Sequence, residues 1–129
     1  MKNRITYIAL FIFLTFSYKV HAQSLEQVVG LIRAGNATEL SKYFENNVEI
    51  SLKESGNSYS KAQAEQVLAN FFSKNSPKGF TIMHQGTSPE GSKYIIGNLM
   101  TAGGNYRVYV YAKPQGASII IREMRFEVQ

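Results

Sequence analysis

The 129-residue chain contains no cysteine, no tryptophan and no aspartate, and all nine of its acidic residues are glutamates. The absence of cysteine excludes disulfides, thiolate nucleophiles, iron–sulfur clusters, Cys-based zinc sites and lipid attachment through a thiol. Only two histidines occur, His21 and His84. Side chains for metal binding and acid–base catalysis are therefore few, and we expect no metal site and no cofactor.

The first 22 residues form a segment of their own. A short basic start, Met1 to Arg4, precedes an almost unbroken apolar run from Ile5 to Phe16, and a more polar tail ends in Val20-His21-Ala22. This pattern predicts a secretory signal peptide, residues 1–22, cleaved after Ala22. A membrane anchor is the alternative, but the apolar run is shorter than the roughly 20 residues that a spanning helix needs. We expect a periplasmic or secreted protein with one domain, residues 23–129, and no membrane contact after cleavage.

Cleavage changes the charge of the chain. The full sequence has 14 basic and 9 acidic side chains, and a net charge of +5 would suit a nucleic acid or a membrane surface. Loss of Lys2, Arg4 and Lys19 leaves 11 basic against 9 acidic side chains, a net charge of +2. The remaining basic residues form no adjacent run and no cluster flanked by aromatic residues. We therefore expect no nucleic-acid partner.

The first half of the domain carries three helix patterns. The first ends near Gly35, a natural left-handed stop. Asn36 is interpreted as the cap of a short second helix; Asn36-Ala37-Thr38 also spells a glycosylation acceptor, a less favoured interpretation. Ser60 and Gln63 form a capping box before the third and longest helix, which ends before Pro77.

The rest of the domain predicts strands. Residues 48–52 alternate apolar and polar side chains, and a turn at Ser55-Gly56-Asn57 leads into a short return segment. Four further strands are separated by turns, at residues 80–85, 93–101, 105–112 and 118–128. The sequence therefore predicts an α+β fold, with N-terminal helices, a short hairpin, and a long helix packed on an antiparallel four-stranded meander sheet.

The hairpin turns predict which side chains share a face of that sheet. Centring the Gly103-Gly104 turn places Leu99 opposite Val108, and centring the last turn near Gln115 places Arg107 opposite Glu123. The inner, helix-facing side then collects Phe80, Ile82, His84, Ile95, Gly97, Leu99, Val108, Val110, Ile120, Met124 and Phe126. The outer side collects Met83, Tyr94, Ile96, Asn98, Met100, Arg107, Tyr109, Tyr111, Ile119, Ile121, Glu123 and Arg125.

The outer side is unusually apolar and aromatic for a surface in contact with water. Tyrosine and methionine are enriched at protein interfaces, and large exposed apolar patches mark partner surfaces. The alternative is an ordinary sheet surface with a cross-strand ion pair. We favour self-association or docking of a partner, including a homodimer, through Tyr94, Met100, Arg107, Tyr109, Tyr111 and Ile121.

Several runs of the domain together resemble a known family of secreted Bacteroidetes proteins, the uncharacterised DUF4783. They are Gly35-Asn36-Ala37, Leu40-Ser41-Lys42-Tyr43-Phe44, Val48-Glu49-Ile50, Tyr59-Ser60-Lys61-Ala62-Gln63-Ala64-Glu65, Phe71-Phe72, His84-Gln85-Gly86, Tyr94-Ile95-Ile96-Gly97 and Tyr106-Arg107-Val108-Tyr109. The resemblance covers essentially the whole domain. It implies a fold like nuclear transport factor 2, also called cystatin-like, in which a curved sheet wraps a long helix into a cone with one open end.

The wider superfamily includes ketosteroid isomerase and scytalone dehydratase, which the resemblance makes a third functional possibility. An isomerase of that kind pairs a carboxylate base with an acid in an apolar pocket, and this chain has no aspartate. Glu49, on the polar phase of its strand, is expected to face solvent. His84 is the one acid–base candidate predicted to face inward, and an inward histidine is more often a core residue than a catalyst.

Two functions therefore rank above an enzyme. The first is a non-catalytic exported module that binds a small apolar or amphipathic molecule in its cone. The second is a protein-interaction or dimerisation module that uses the outer side of the sheet. Candidate residues for the cone pocket are Tyr43, Phe44, Tyr59, Phe72, His84, Tyr106 and Arg122.

Overall fold

A computed structural model of the chain describes residues 25–129, which form an α+β fold of three helices and six strands. The predicted signal peptide, residues 1–22, lies outside the described residues. Within the described part, no helix has the length and apolar character needed to cross a membrane. The elements are α1 (Leu25–Ala34), α2 (Ala37–Ser41), β1 (Phe44–Leu52), β2 (Ser55–Ser60), α3 (Lys61–Lys74), β3 (Pro77–Thr87), β4 (Lys93–Thr101), β5 (Gly104–Gln115) and β6 (Ser118–Val128).

Local capping determines where the helices begin and end. Gly35 adopts a φ of +65° just after α1, which confirms the predicted left-handed stop. The Asn36 side chain accepts a hydrogen bond from the amide of Glu39 at 3.1 Å, so the predicted cap of α2 is also confirmed. At the start of α3, Ser60 and Gln63 form both bonds of the capping box.

All six strands form one sheet in the order β2-β1-β6-β5-β4-β3. The predicted meander is present as β3 to β6, but the prediction of a four-stranded sheet is wrong. β1 pairs in parallel with β6, and β2 pairs antiparallel with β1. The hairpin of β1 and β2 therefore adds two strands to the meander, because β1 lies beside β6.

The predicted hairpin registers are displaced by an even number of residues. Leu99 pairs with Tyr106 instead of Val108, and Arg107 pairs with Glu127 instead of Glu123. Because side chains alternate along a strand, an even shift keeps each side chain on its predicted face. Most of the predicted inner side is accordingly buried, namely Phe80, Ile95, Leu99, Val108, Val110, Met124 and Phe126.

A β-bulge between Tyr111 and Ala112 reverses the faces in the first half of β6. Ile119 and Ile121, which we predicted on the outer side, are buried, whereas Ile120, predicted inside, is partly exposed. One extra residue in β6, Arg122, shifts the pairing by an odd number, and an odd shift exchanges the two faces. The predicted orientation of these three isoleucines is therefore wrong.

A second bulge, between Ile82 and His84 of β3, has the same effect at the edge of the sheet. His84 pairs with Ile96 of the outer side and is exposed, so the prediction that it faces inward is wrong. Ile82 still pairs with the inner Gly97, but it lies on the edge strand and is 36% exposed. Glu49 is exposed, as predicted.

Aromatic rings fill the space between α3 and the sheet. The ring centroid of Phe71 lies 4.7 Å from that of Phe126 and 5.1 Å from that of Tyr106. The Phe72 ring lies 5.6 Å from Phe71 and 6.2 Å from Phe126. All four side chains are buried, and such ring pairs contribute about 0.5–1.5 kcal/mol each beyond the burial of their surface. Side chains thus occupy the centre of the cone.

Truncation of the central ring, Phe126→Ala, is expected to lower the free energy of unfolding by about 3–5 kcal/mol, because it leaves a cavity between two phenylalanines of α3. Urea denaturation followed by circular dichroism measures this. The control is Val128→Ala on the same strand, where the side chain is 63% exposed and the expected loss is below about 0.5 kcal/mol. Equal losses in the two variants would contradict the packing described.

Candidate functional site

Three of the seven residues predicted to line the cone belong to its packed interior. Phe44, Phe72 and Tyr106 are buried among other core side chains. The Tyr106 hydroxyl donates a hydrogen bond to Oδ1 of Asn75 at 3.0 Å, which satisfies the one polar group of this set inside the core. These residues support the fold from within.

Two further candidates lie at the surface, in separate clefts. Tyr43, whose hydroxyl donates to Oε1 of Gln27 at 2.8 Å, borders a cleft of about 340 Å³ beside Lys42 and Lys61. Tyr59 borders another cleft, of about 460 Å³, between β2 and α3. The structure therefore does not bring these two tyrosines together in one pocket.

The last two candidates do not face the interior. His84 is exposed on the edge strand, as described above. Arg122 is also exposed, because it is the extra, unpaired residue of the bulge in β6. Its Nε lies 3.4 Å from Oε2 of Glu45. The predicted inward orientation of Arg122 is wrong for the same physical reason as that of His84.

The structure instead brings the predicted interface residues together in three rows across β4, β5 and β6. Tyr94, Tyr111 and Glu123 lie opposite one another in the first row. The second row is Ile96, Tyr109 and Arg125, and the third is Asn98, Arg107 and Glu127. We call these nine residues, with Met100, the outer sheet face. Ile121, predicted to belong to it, is buried on the other side.

A cation–π contact lies at the centre of the outer sheet face. The guanidinium carbon of Arg125 is 4.5 Å from the centroid of the Tyr109 ring, a geometry that attracts the charge to the ring. Nε of Arg125 is 3.5 Å from Oε1 of Glu123, and Nη1 is 3.8 Å from Oε1 of Glu127. Both carboxylates flank the arginine, so its position on the ring is restrained from two sides.

Two nitrogen atoms on this face are buried without a hydrogen bond. They are Nε of Arg107 and Nε of Arg125, and for Arg125 the carboxylate of Glu123 is close but outside hydrogen-bond geometry. A buried donor without an acceptor costs free energy. For Arg125, the contact with the Tyr109 ring and the two nearby carboxylates offset that cost.

A polar cleft of about 470 Å³ adjoins the outer sheet face where β1 separates from β6. Between paired positions, β1 advances five residues, from Phe44 to Glu49, while β6 advances two, so the extra residues of β1 open the sheet. The cleft is lined by Glu45, Asn47, Glu49, Ser58, Ser92, Tyr111, Ala112, Arg122 and Glu123.

Glu45 is the most strongly paired acid of this cleft. Its Oε1 accepts a hydrogen bond from Nζ of Lys113 at 2.7 Å, and its Oε2 faces Arg122. The Lys113 hydrogen bond, together with the charges of both cations, lowers the pKa of Glu45 below its usual value of 4.5 despite partial desolvation. Sequence spacing gives no sign of this group, because Glu45 of β1 lies 68 residues before Lys113 of β5.

The cleft is lined mainly by acidic, basic and hydrogen-bonding side chains. Among residues 25–129, no group of three histidine or acidic side chains is placed to hold a metal ion. His84, which was the acid–base candidate, is not among the residues that line this cleft. The arrangement offers paired charges and hydrogen-bonding groups, which are suited to recognition of a partner.

Comparisons with known proteins concern the fold and the family. The model of the family described as "Domain of unknown function (DUF4783)" matches residues 25–127. A DUF4783 family protein from Bacteroides uniformis is 34% identical and superposes with a TM-score of 0.75, covering 81% of this chain and 95% of its own. No curated protein matches the chain.

Two more distant structures are similar in fold alone. One is an NTF-2 like protein of unknown function from Silicibacter pomeroyi, with 11% identity, a TM-score of 0.61, and coverage of 81% of this chain and 89% of its own. The other is a de novo designed protein with a curved β-sheet, with 11% identity, a TM-score of 0.65, and coverage of 80% and 96%. The expectation of a fold like nuclear transport factor 2 is confirmed.

The Glu45 ion pairs predict a pH-dependent stability. Since folding lowers the pKa of Glu45, its stabilising effect is complete above pH 4.5 and is lost as the pH falls through the lower, folded pKa. We expect Glu45→Gln to unfold at lower denaturant concentration than the unaltered protein at pH 7, with the difference shrinking toward zero at acid pH. Urea titrations across the pH range measure it. The exposed Glu90→Gln is the control, and an equal or pH-independent effect of the two variants would contradict the assignment.

Proposed function

This chain belongs to the DUF4783 family of domains of unknown function, and on that premise we propose that it is an exported, non-catalytic interaction module that associates with a second copy of itself through the outer sheet face. The proposal extends the sequence-based expectation of a partner surface. In this proposal, the three rows of residues across β4, β5 and β6 are the surface that binds the second copy.

The observation that carries the proposal is the continuity of apolar and aromatic surface on the outer sheet face. Met100 is 46% and Tyr111 38% exposed, and Tyr94, Ile96 and Tyr109 lie between them only partly buried. Tyrosine, methionine and arginine are the residue types enriched at protein interfaces. Burying such a patch in an interface stabilises the complex by about 25 cal/mol for each Å² of apolar surface removed from water.

The charges of the face favour a second copy as the occupant. Arg107 and Arg125 supply two positive groups, and Glu123 and Glu127 supply two negative groups, within the same three rows. A two-fold axis brings the same patch of two copies together in opposite directions. Each copy can then set its cations against the carboxylates of the other, so that association needs no partner of opposite net charge.

The restraint on Arg125 also favours association. Long side chains on a free surface lose about 0.5–1.5 kcal/mol of rotamer entropy each when an interface immobilises them. Here the Tyr109 ring and two glutamates already restrict Arg125 in the single copy. Less entropy is left to lose on docking, which lowers the cost of forming the contact.

The alternative functions have less support from the same structure. A small molecule in the cone would have to displace buried rings, since Phe71, Phe72, Tyr106 and Phe126 pack against one another at its centre. An isomerase- or dehydratase-like mechanism would need His84 inside an apolar pocket, whereas it is exposed. Export is part of the proposal and is supported by the signal-peptide pattern of residues 1–22.

The double variant Met100→Ala with Tyr111→Ala tests the proposal. We expect the mature protein, residues 23–129, to sediment as a concentration-dependent mixture that includes dimers, and the double variant to raise the dissociation constant on the order of tenfold or more. Analytical ultracentrifugation over a range of concentrations measures both. Neither side chain is buried, so thermal unfolding should change little.

The matched control is Val128→Ala, which also removes exposed apolar atoms but lies opposite Tyr106, on the inner side of the sheet. It should sediment like the unaltered protein. A mature protein that stays monomeric at the highest soluble concentration, or a control variant that dissociates as much as the double variant, would refute association through this face.

A further inference from the structure

β3 is the edge of the sheet on the side opposite β2. Within residues 25–129 its ladder partner is β4 alone. The strand is eleven residues long, Pro77–Thr87, which is longer than the three to ten residues usual for strands. The side of β3 that faces away from β4, which we call the rim, therefore has no partner strand among the described residues.

The helices cover only the first part of this rim. Nη2 of Arg33 donates a hydrogen bond to the carbonyl oxygen of Phe80 at 2.9 Å, and Pro77 packs close to Gly35 at the end of α1. Beyond Phe80 the strand leaves the helices, and all five residues from Thr81 to Gln85 are exposed. The open rim therefore begins at Thr81.

The direction of the backbone groups at the start of the rim follows from two contacts. The carbonyl oxygen of Thr81 is on the side of β3 that faces β4. It lies so close to Gly97 that a Cβ atom added to this glycine would be 2.8 Å from it. The Phe80 carbonyl points the other way, toward Arg33. Since successive residues of an antiparallel strand alternate in direction, the N–H and C=O of Ile82 point away from β4, into solvent.

The open rim also lacks the features that usually protect an edge strand. From Gly79 to Thr87 there is no lysine, arginine, glutamate or proline, although native edges are commonly protected by such residues. Ile82 and Met83 are exposed apolar side chains, 36% and 46% respectively. The bulge at Met83 is the one protective feature, and it leaves that side chain without a cross-strand partner. The opposite edge strand, β2, is only six residues long and mostly polar.

We propose that the segment Thr81–Thr87 of β3 pairs antiparallel with the same segment of a second copy, so that two sheets join edge to edge. The segment contains no lysine, arginine or glutamate, so no repulsion between such side chains of the two copies opposes the pairing. Two identical strands related by a two-fold axis are antiparallel and equal in length. The backbone groups of Ile82 and of alternate residues beyond the bulge then gain hydrogen-bond partners.

This contact goes beyond the association through the outer sheet face and does not depend on it. The edge and the face are different surfaces, so one copy can contact one neighbour with each. With both contacts in place, the protein assembles beyond a dimer. Loss of one contact should leave dimers that are held by the other.

The first test removes one backbone donor. In the Met100→Ala, Tyr111→Ala protein, which lacks much of the face contact, we compare Ile82→Pro with Ile82→Ala by analytical ultracentrifugation. Both lose the side chain, but only proline lacks the N–H that points to solvent, and proline is tolerated on edge strands. We expect Ile82→Ala to retain edge-paired dimers and Ile82→Pro to be monomeric, with similar thermal unfolding. Equal association of the two variants, or a parent protein that is monomeric at its highest soluble concentration, would overturn the proposal.

The second test does not require proline to be accommodated. The chain has no cysteine, so Met83→Cys introduces a unique thiol within the paired segment, and Ala69→Cys introduces one at an exposed position of α3 as the control. Antiparallel pairing brings the introduced thiols of the two copies within about 10 Å of each other, from the spacing of strands and residues. We expect a short bis-maleimide to cross-link Met83→Cys into dimers at least tenfold faster than Ala69→Cys. Equal rates would overturn edge pairing even if Ile82→Pro fails to fold.

Discussion

The packing of α3 against the inner side of the sheet is the contact on which the rest of the structure depends. Phe71 and Phe72 of the helix enclose Phe126 of β6 from two directions, and β6 lies between β5 and β1 at the centre of the strand order. Rings at this position link the helix to both halves of the sheet. They also occupy the centre of the cone, the volume in which a fold of this shape could hold a small molecule.

Two β-bulges then determine what that exterior contains. The bulge in β6 turns Ile121 into the core and Arg122 out to Glu45, and the bulge in β3 turns His84 out of the inner face. Each inserts one residue, and each exchanges the faces of everything beyond it up to the next turn. The bulge in β6 therefore both completes the core with Ile121 and exposes Arg122 to the cleft beside β1.

Sequence reasoning identified those parts of the structure that depend on neighbouring residues. The caps at Asn36 and Ser60, the stop at Gly35, and the alternating strands follow from local hydrogen bonding and periodicity. The pairing of β1 with β6 could not be predicted in this way, because it joins the two ends of the domain and leaves no local pattern. The bulges were missed for another reason: a turn position gives the register only while the pairing stays regular, so Arg122 and His84 were assigned to the wrong face. The resemblance to the family predicted the cone-shaped fold, but it did not predict that aromatic side chains fill the centre of the cone.

The sequence predicted correctly which side chains of β4 and β5 lie on the outer sheet face. The predicted registers of these strands were displaced by an even number of residues, which keeps each side chain on its face. Tyr109 and Arg107 kept their predicted side although their partners changed. The alternation of side chains along a strand does not show how the residues of a face contact one another. In the structure, Arg125 lies over the Tyr109 ring, and its Nε is buried without a hydrogen bond. A guanidinium group that lies over a ring exchanges part of its hydration for the attraction of the ring. Because Nε of Arg125 is already removed from water in the single copy, the association proposed above would not have to desolvate that atom again.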